Sequence, residues 1–236
     1  MKRILFISLY AATLLVPASL YIGTFGWGSM PYSLSMLFGT VAFMIFVNQF
    51  LLAAKPRAAV EALGTKGLLS FHGTMAFLGI VAAVFHRLLK VGLLPGKQPS
   101  EDSASTWNSL LYGVGFSEYS IQAVLGQVAL ILFFLAVLLA AFLMANTFWM
   151  KIAAFKRFKD WAFRALKLTY PRMRLVHNVV VAATALVLVH VLLASTSDFT
   201  VNPFGASWMI AWTAFSFGAY LRYRIAGRKP AVKAKS

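Results

Sequence analysis

The chain is a succession of long apolar runs separated by short polar stretches. A helix needs about 20 apolar residues to cross the hydrocarbon core of a bilayer. Six runs of roughly that length can be read, at 4–22, 32–54, 67–90, 121–146, 173–194 and 206–226. The pattern therefore predicts an all-α integral membrane protein whose spans form a six-helix transmembrane bundle in the lipid bilayer.

The composition agrees with this prediction. Of the 236 residues, 60% are hydrophobic and only 12% are charged, which is more apolar surface than a soluble domain can bury. We assign residues 1–226 to one transmembrane domain and the small, basic segment 227–236 to a disordered cytoplasmic tail. The sequence contains no glycine-rich phosphate loop, so we expect no nucleotide or flavin domain of the GxGxxG type in this chain.

The formal net charge of +16 follows the alternation of the loops. All but three of the 22 basic residues fall on the side of the N-terminus, and the exceptions are Arg87, Lys90 and Lys97. An excess of Lys and Arg marks the cytoplasmic face of a membrane protein. We therefore expect both termini in the cytoplasm and the protein in the inner (plasma) membrane, and we interpret the charge as a topology signal, with no nucleic acid as partner.

The long inner loop predicts a basic amphipathic helix. Apolar residues recur there at intervals of three and four, with Lys and Arg largely between them, and the apolar positions are Ile152, Phe155, Phe158, Ala162 and Leu166. Such a helix lies in the interface between lipid and cytoplasm. A lipid-surface anchor is the interpretation that the composition alone favours, and a docking surface for an acidic cytoplasmic partner is compatible with it.

All four histidines of the chain lie in the third and fifth apolar runs. His72 and His86 are 14 residues apart, and His177 and His190 are 13 apart. The two runs make up about one fifth of the chain, so chance placement of all four histidines there has a probability on the order of 0.001. The placement is less expected still because polar residues avoid membrane spans. We therefore interpret the histidines as functional rather than as isolated structural residues.

Helix geometry limits what these histidines can bind. At 100° and 1.5 Å per residue, His72 and His86 lie within about 40° of one face and about 21 Å apart, too far to share a metal ion. One helix intervenes between the third and fifth spans, so these two run in the same direction, and His177 matches the depth of His72 as His190 matches that of His86. Two stacked bis-histidine sites result. The 13-residue spacing places His177 and His190 about 140° apart on an ideal helix, which the sequence does not explain.

A haem suits such a site better than a bare ion. Zinc or copper would need further ligands, and these spans hold no carboxylate or thiol, whereas haem iron needs only two axial imidazoles. The chain has no cysteine, which excludes Fe–S clusters and covalent c-type haem. Small residues near the histidines would admit a macrocycle or, equally, close helix packing, and they are Ala76, Gly79, Ala83 and Thr184.

The paired spacing, His-x13-His in the third span and His-x12-His in the fifth, resembles the ferric reductase transmembrane family. That family includes NADPH oxidases, ferric reductases and the haem subunit of the periplasmic methionine sulfoxide reductase system, and the resemblance covers nearly the whole chain. It implies two non-covalent haems b with His72, His86, His177 and His190 as ligands, and electron transfer from the cytoplasmic side outward. Oxidases and ferric reductases carry a cytoplasmic FAD and NADPH module after the sixth span, and this chain departs from them there, resembling the stand-alone bacterial members.

This departure leaves the donor and the acceptor open. We expect the electron donor to be a separate cytoplasmic flavin reductase, and the acceptor to be an outer-face redox protein or a small molecule. Basic residues at the depth of the two sites suit anionic haem propionates, although ordinary interfacial anchoring would explain them as well. These residues are Arg87 at the outer site and Lys66, Arg172 and Arg174 at the inner one.

Two other functions stay open on the sequence alone. The first is a quinone-coupled cytochrome b subunit, which a bound quinone or reduction by quinol without a flavoprotein would favour. The second is a non-haem transporter that uses its histidines as a proton relay, which a colourless purified protein would favour.

Overall fold

The structure, a computed structural model, describes residues 1–28, 30–90, 118–144, 153–165, 178–194 and 199–226. In these ranges the secondary structure is helical and includes no strand, which confirms the predicted all-α class. In chain order the helices are α1 (Lys2–Phe25), α2 (Met30–Ala53), α3 (Arg57–Lys90), α4 (Glu118–Met144), α5 (Ala153–Ala165), α6 (Val179–Leu192) and α7 (Pro203–Ile225). The tail 227–236 lies outside the described residues.

Three of these helices, α1, α2 and α3, are long and apolar enough to cross a membrane. Shorter apolar stretches, Val124–Leu138 and Val179–Leu192, lie within the fourth and fifth predicted runs. Helix α7 covers the sixth run with 23 residues. Its N-cap is Asn202, whose side chain accepts a hydrogen bond from Gly205 N, and Pro203 is its first residue. Apolar helices of this length indicate a lipid bilayer environment.

The chain divides into two compact units, Met1–Glu118 with Val191–Ser236, and Tyr119–His190. In the first unit α1 and α2 each contact the other three helices, and α2 is the more deeply buried and therefore the central one. In its most apolar stretch 56% of the residues are buried, against 22% in the corresponding stretches of α1 and α3. The second unit holds nearly all of α4, all of α5 and most of α6.

Helix α3 is interrupted at Gly64, where φ is 70° and ψ is 164°. Only glycine adopts this backbone conformation readily, since a side chain would clash with the backbone. The interruption separates a short first segment, 57–63, from a helix that continues without a break from 65 to 90. The whole third apolar run, with both of its histidines, therefore lies on one uninterrupted helical segment.

The basic residues of the first unit gather at one end of its helices. Lys2 Nζ lies 3.0 Å from Glu61 Oε2, and Arg57 Nε lies 2.6 Å from Glu61 Oε1, so α1 and α3 begin at the same end. Helix α2 finishes there, because it ends at Ala53, just before α3 begins at Arg57. Helix α7 finishes there too, because Tyr220 near its end contacts Phe50 near the end of α2. Among the residues that the structure describes, the bases at this end are Lys2, Arg3, Lys55, Arg57, Lys66, Arg222 and Arg224, and those at the opposite end are Arg87 and Lys90. Such an asymmetry is typical of membrane proteins that insert with the basic end inside.

Asn48 joins three helices in the core of the first unit. Its side chain is 1% exposed. It donates from Nδ2 to Thr13 Oγ1 of α1 at 2.7 Å and accepts at Oδ1 from Trp212 Nε1 of α7 at 2.7 Å. The neighbouring Gln49 is also buried, but its Nε2 donates to Ile45 O of its own helix, and its Oε1 has no hydrogen-bond partner among the described residues. Two adjacent amides of α2 thus differ in whether they link helices.

Replacing Asn48 by Leu should lower the free energy of unfolding by about 1–3 kcal/mol, because two interhelical hydrogen bonds are lost and Trp212 Nε1 keeps no acceptor. The matched control is Gln49→Leu, which should be neutral or stabilising because it removes an amide that links no helices. Unfolding by added SDS in mixed micelles measures both values. Equal losses in the two variants would contradict the linking role of Asn48.

Candidate functional site

Three of the four histidines lie in described parts of the structure. His72 and His86 are half-buried on the unbroken part of α3, which confirms that one helix carries both. On an ideal helix they lie about 21 Å apart and within about 40° of one face. His190 is half-buried in the last turn of α6, in the second unit. His177 lies outside the described residues, so the angle between His177 and His190 about their helix stays a prediction.

His86 is bound to α2 through Ser35. The ring Nδ1 of His86 lies 2.8 Å from the backbone oxygen of Ser35 and 3.1 Å from its Oγ. The hydroxyl of Ser35, which is fully buried, also donates to the backbone oxygen of His86 at 3.0 Å. Ser35 therefore contacts both the ring and the backbone of the histidine.

His190 makes a similar pair of contacts with Gln122 of α4. The ring Nδ1 of His190 lies 2.7 Å from the backbone oxygen of Gln122. The side-chain Nε2 of Gln122 in turn donates to the backbone oxygen of His190 at 3.4 Å. Both groups belong to the second unit, so this is an independent instance of the arrangement at His86.

These contacts fix the proton on each ring. A backbone carbonyl can only accept a hydrogen bond, so Nδ1 of His86 and of His190 carries the proton, and the lone pair is on Nε2 in the neutral imidazole. Donation of the other ring N–H to a backbone carbonyl is the usual arrangement of a metal-ligating histidine, since it orients the ring and raises its basicity. Both side chains therefore have the tautomer that a ligand bound through Nε2 requires.

A glycine lies beneath each of these rings. A Cβ built on Gly39 of α2 would be 2.8 Å from His86 Nδ1, and one built on Gly126 of α4 would be 2.9 Å from His190 Nδ1. Real Cβ atoms do not approach ring atoms this closely, so both rings occupy space that any other residue would fill.

The small residues predicted near the histidines have different surroundings. A Cβ on Gly79 would be 2.9 Å from both Ile45 Cγ2 and Phe46 Cε1 of α2, so this glycine serves close packing of α2 and α3. Thr184 is buried and donates to Val180 O of its own helix at 2.9 Å. The remaining two, Ala76 and Ala83, are half-buried on the histidine face of α3.

The predicted basic residues are partly described. Lys66 is exposed near the start of the unbroken part of α3, and Arg87 is half-buried directly after His86. Lys90, one turn later, places Nζ 5.5 Å from the centroid of the Tyr32 ring, a cation–π contact between α3 and α2. Arg172 and Arg174 lie outside the described residues.

Helix α5 confirms the helix predicted for the inner loop. Three of its bases, Lys156, Arg157 and Arg164, are exposed. Phe158 and Trp161 expose 54% and 59% of their surface, and their rings stack with centroids 5.8 Å apart. A helix with exposed aromatic and basic residues is suited to bind a membrane surface or an acidic partner.

The donor chemistry of the histidines fits an axial haem ligand. In the part of the chain that the structure describes, no three His, Asp or Glu side chains are grouped to hold a metal ion. A haem iron takes four nitrogens from its porphyrin and needs only one imidazole on each side. His86 and His190, each with its lone pair on Nε2, meet that requirement singly.

Sequence reasoning did not find the residues that contact the two rings. They are Ser35 and Gly39 in α2, and Gln122 and Gly126 in α4. Each pair is a polar residue followed four positions later by glycine, in the apolar run that precedes a histidine-bearing run. This four-residue spacing is the sequence signal that could have pointed to these residues, although it does not reveal which helix the polar residue and the glycine face.

Comparison with known proteins adds no relative to this description, because no protein-family model, no curated protein and no solved structure matches the chain.

Proposed function

We propose that this chain is a di-haem b transmembrane electron-transfer protein, built like the ferric reductase transmembrane family that its histidine spacing resembles. In this proposal His72, His86, His177 and His190 ligate two stacked haems in a six-helix bundle of the plasma membrane. The observation that carries the proposal is the hydrogen bond from Nδ1 of His86 and of His190 to a carbonyl of a neighbouring helix, at 2.8 and 2.7 Å. This bond gives each ring the tautomer and the orientation of a ligand.

The haems would supply a one-electron iron couple, and bis-histidine ligation suits electron transfer because both axial positions are filled. The residues of the chain would bind the haems and orient them. The 14-residue separation of His72 and His86 on an unbroken helix sets two depths in the bilayer, and Ala76 and Ala83, both half-buried, are small residues on that face. Lys66 and Arg87, with Arg172 and Arg174, are suited to pair with propionates.

Charge supports a cytoplasmic origin of the electrons. The basic end of the first unit and the exposed bases of α5 are the features that positive-inside insertion assigns to the cytoplasm, and both termini would then be cytoplasmic. An acidic flavin reductase would dock on the bases of α5 while Phe158 and Trp161 contact lipid. The electrons would leave at the end that carries Arg87, to a redox protein or a small molecule on the outer face.

The purified protein should contain two haems b per chain, extractable into acidified organic solvent because the chain has no cysteine to form thioethers. A pyridine haemochrome assay, normalised to protein mass by amino-acid analysis, measures the ratio. A ratio of one, or a colourless protein, would count against the proposal, and the colourless outcome would favour a proton relay.

The four histidines should fall into two pairs in redox titrations of the single alanine variants. Because a porphyrin cannot bridge ligands that differ in depth by about 20 Å, His72→Ala and His177→Ala should remove one spectroscopic centre, and His86→Ala and His190→Ala the other. Loss of one common centre in His72→Ala and His190→Ala would mean that the proposed topology is wrong.

Reversal of two charges on α5, Lys156→Glu with Arg157→Glu, should slow haem reduction by a flavin reductase and flatten the dependence of its rate on salt. The matched control reverses Arg222 and Arg224, two exposed bases of α7, and should have the smaller effect. Stopped-flow reduction at several ionic strengths measures both. Rates unchanged by the α5 variant would leave the helix as a lipid anchor, and reduction by quinol alone would favour the quinone-coupled alternative.

A further inference from the structure

We infer that His86 and His190 are positioned by two copies of one structural device, which we call the imidazole seat, and that Ser35, Gly39, Gln122 and Gly126 are the positioning residues. A seat consists of a polar residue and the glycine four positions after it on the neighbouring helix. The first seat is Ser35 with Gly39, and the second is Gln122 with Gly126. The inference rests on the proposed function, because it assigns a role to residues that act through its ligands.

The first part of the seat is a backbone carbonyl with a second acceptor site. In an α-helix the carbonyl of residue i already accepts the N–H of residue i+4, which here is the glycine of the seat. A carbonyl oxygen has two lone pairs, so the carbonyls of Ser35 and Gln122 can accept a ring N–H as well. The rings of His86 and His190 approach them at 2.8 and 2.7 Å. The acceptor is therefore part of the helix itself and stays fixed whether or not a ligand is bound.

The second part of the seat is the glycine, which gives access to that carbonyl. Side chains of an α-helix tilt toward its N-terminus, so a side chain at i+4 covers the turn that contains carbonyl i. A Cβ at Gly39 would lie 2.8 Å from Nδ1 and 3.0 Å from Cε1 of His86, and a Cβ at Gly126 would lie 2.9 Å from both atoms of His190. Alanine at either position would therefore push the ring away from its acceptor.

The third part of the seat is a return contact from the polar side chain to the backbone of the histidine. Ser35 Oγ donates to His86 O at 3.0 Å, and Gln122 Nε2 donates to His190 O at 3.4 Å. His190 lies in the last turn of α6, where carbonyls lack partners within the helix. The return contact holds the two helices in register, so that ring and acceptor remain opposite each other.

The three parts occur together twice, on different helix pairs in separate units of the chain. Ser35 and Gln122 have side chains of different length and chemistry. Each side chain nevertheless donates to the backbone oxygen of a histidine, and the carbonyl of the same residue accepts from Nδ1 of that histidine. One such arrangement would be ordinary helix packing. Its repetition at two of the four histidines assigns it to positioning of the ligands.

The test compares Gly39→Ala and Gly126→Ala with Gly218→Ala, a control in α7 where an added Cβ meets no atom within 4 Å. The first measurement is the ¹⁵N NMR spectrum of ring-labelled histidines in apoprotein in micelles, assigned with single histidine variants. It reports which ring nitrogen is protonated and hydrogen-bonded, and it needs no haem. We expect Gly39→Ala to change the His86 signals, Gly126→Ala those of His190, and Gly218→Ala neither.

The second measurement uses the haem-loaded protein. Each seat variant should weaken haem retention at the centre that its histidine serves, on the order of 10- to 100-fold. Each should also shift the midpoint potential and the EPR g values of that centre, because these depend on ring orientation, while the other centre stays unchanged. Ser35→Ala, which adds no atoms but removes both Oγ contacts, asks the same question of His86 if Gly39→Ala does not accumulate.

The outcomes separate the seat from the proposed function. Ring signals that respond to the seat variants in a protein that binds no haem would support the seat and overturn the function. Two bound haems with ring signals and g values equal to those of the Gly218→Ala control would support the function and overturn the seat.

Discussion

A histidine inside a bilayer depends on a hydrogen-bond partner from the protein, because lipid hydrocarbon cannot hydrogen-bond a ring nitrogen. The carbonyls of neighbouring helices are the most abundant acceptors at that depth, but in an ordinary helix side chains cover them. His86 and His190 reach such carbonyls only where a glycine uncovers one, at Gly39 and Gly126. This requirement ties the chemistry of the site to the packing of two helices, because the ring keeps its tautomer only while the helices stay together.

The need for hydrogen bonds between helices also explains why α2 is the buried centre of the first unit. Helices in lipid gain little from burying apolar surface against one another, so close packing and interhelical hydrogen bonds hold them together. Helix α2 contributes both kinds of contact. Ser35 binds α3, Asn48 binds α1 and α7, and between them Ile45 and Phe46 meet the backbone of α3 at Gly79. The helix that supplies a histidine seat is thus also the one that the other helices are built around.

The sequence predicted what depends on local pattern and missed what depends on the partner helix. Apolar runs predicted the helices because a span needs about 20 apolar residues, and α1 at Lys2–Phe25 extends the run 4–22 by a few residues. The shared face of His72 and His86 follows from helix geometry, which holds because α3 has no break after Gly64. The break itself, at the eighth residue of a helix that begins before the apolar run, has no signature in hydrophobicity.

Glycines show most clearly where such prediction ends. Gly79 was open to two interpretations, a slot for a macrocycle or close helix packing, and the side chains of Ile45 and Phe46 across the interface decide for packing. Gly39 and Gly126 each follow a polar residue by four positions, whereas Gly79 follows Met75, but this spacing does not tell that the first two face an imidazole. The identity of the facing side chain is a tertiary fact, and a single sequence does not contain it in any local pattern.

The choice of a neutral acceptor follows from the cost of charge in the membrane. A carboxylate would hold the ring proton more strongly and make the imidazole a stronger donor to a metal, but an ionised group within a span costs several kcal/mol. The chain has only six acidic residues, and neither seat uses one of them. A carbonyl fixes the same tautomer without charge, and because every residue has one, the position can be Ser in one seat and Gln in the other. Only the glycine has no substitute, which is why the two seats share that residue and differ in the rest.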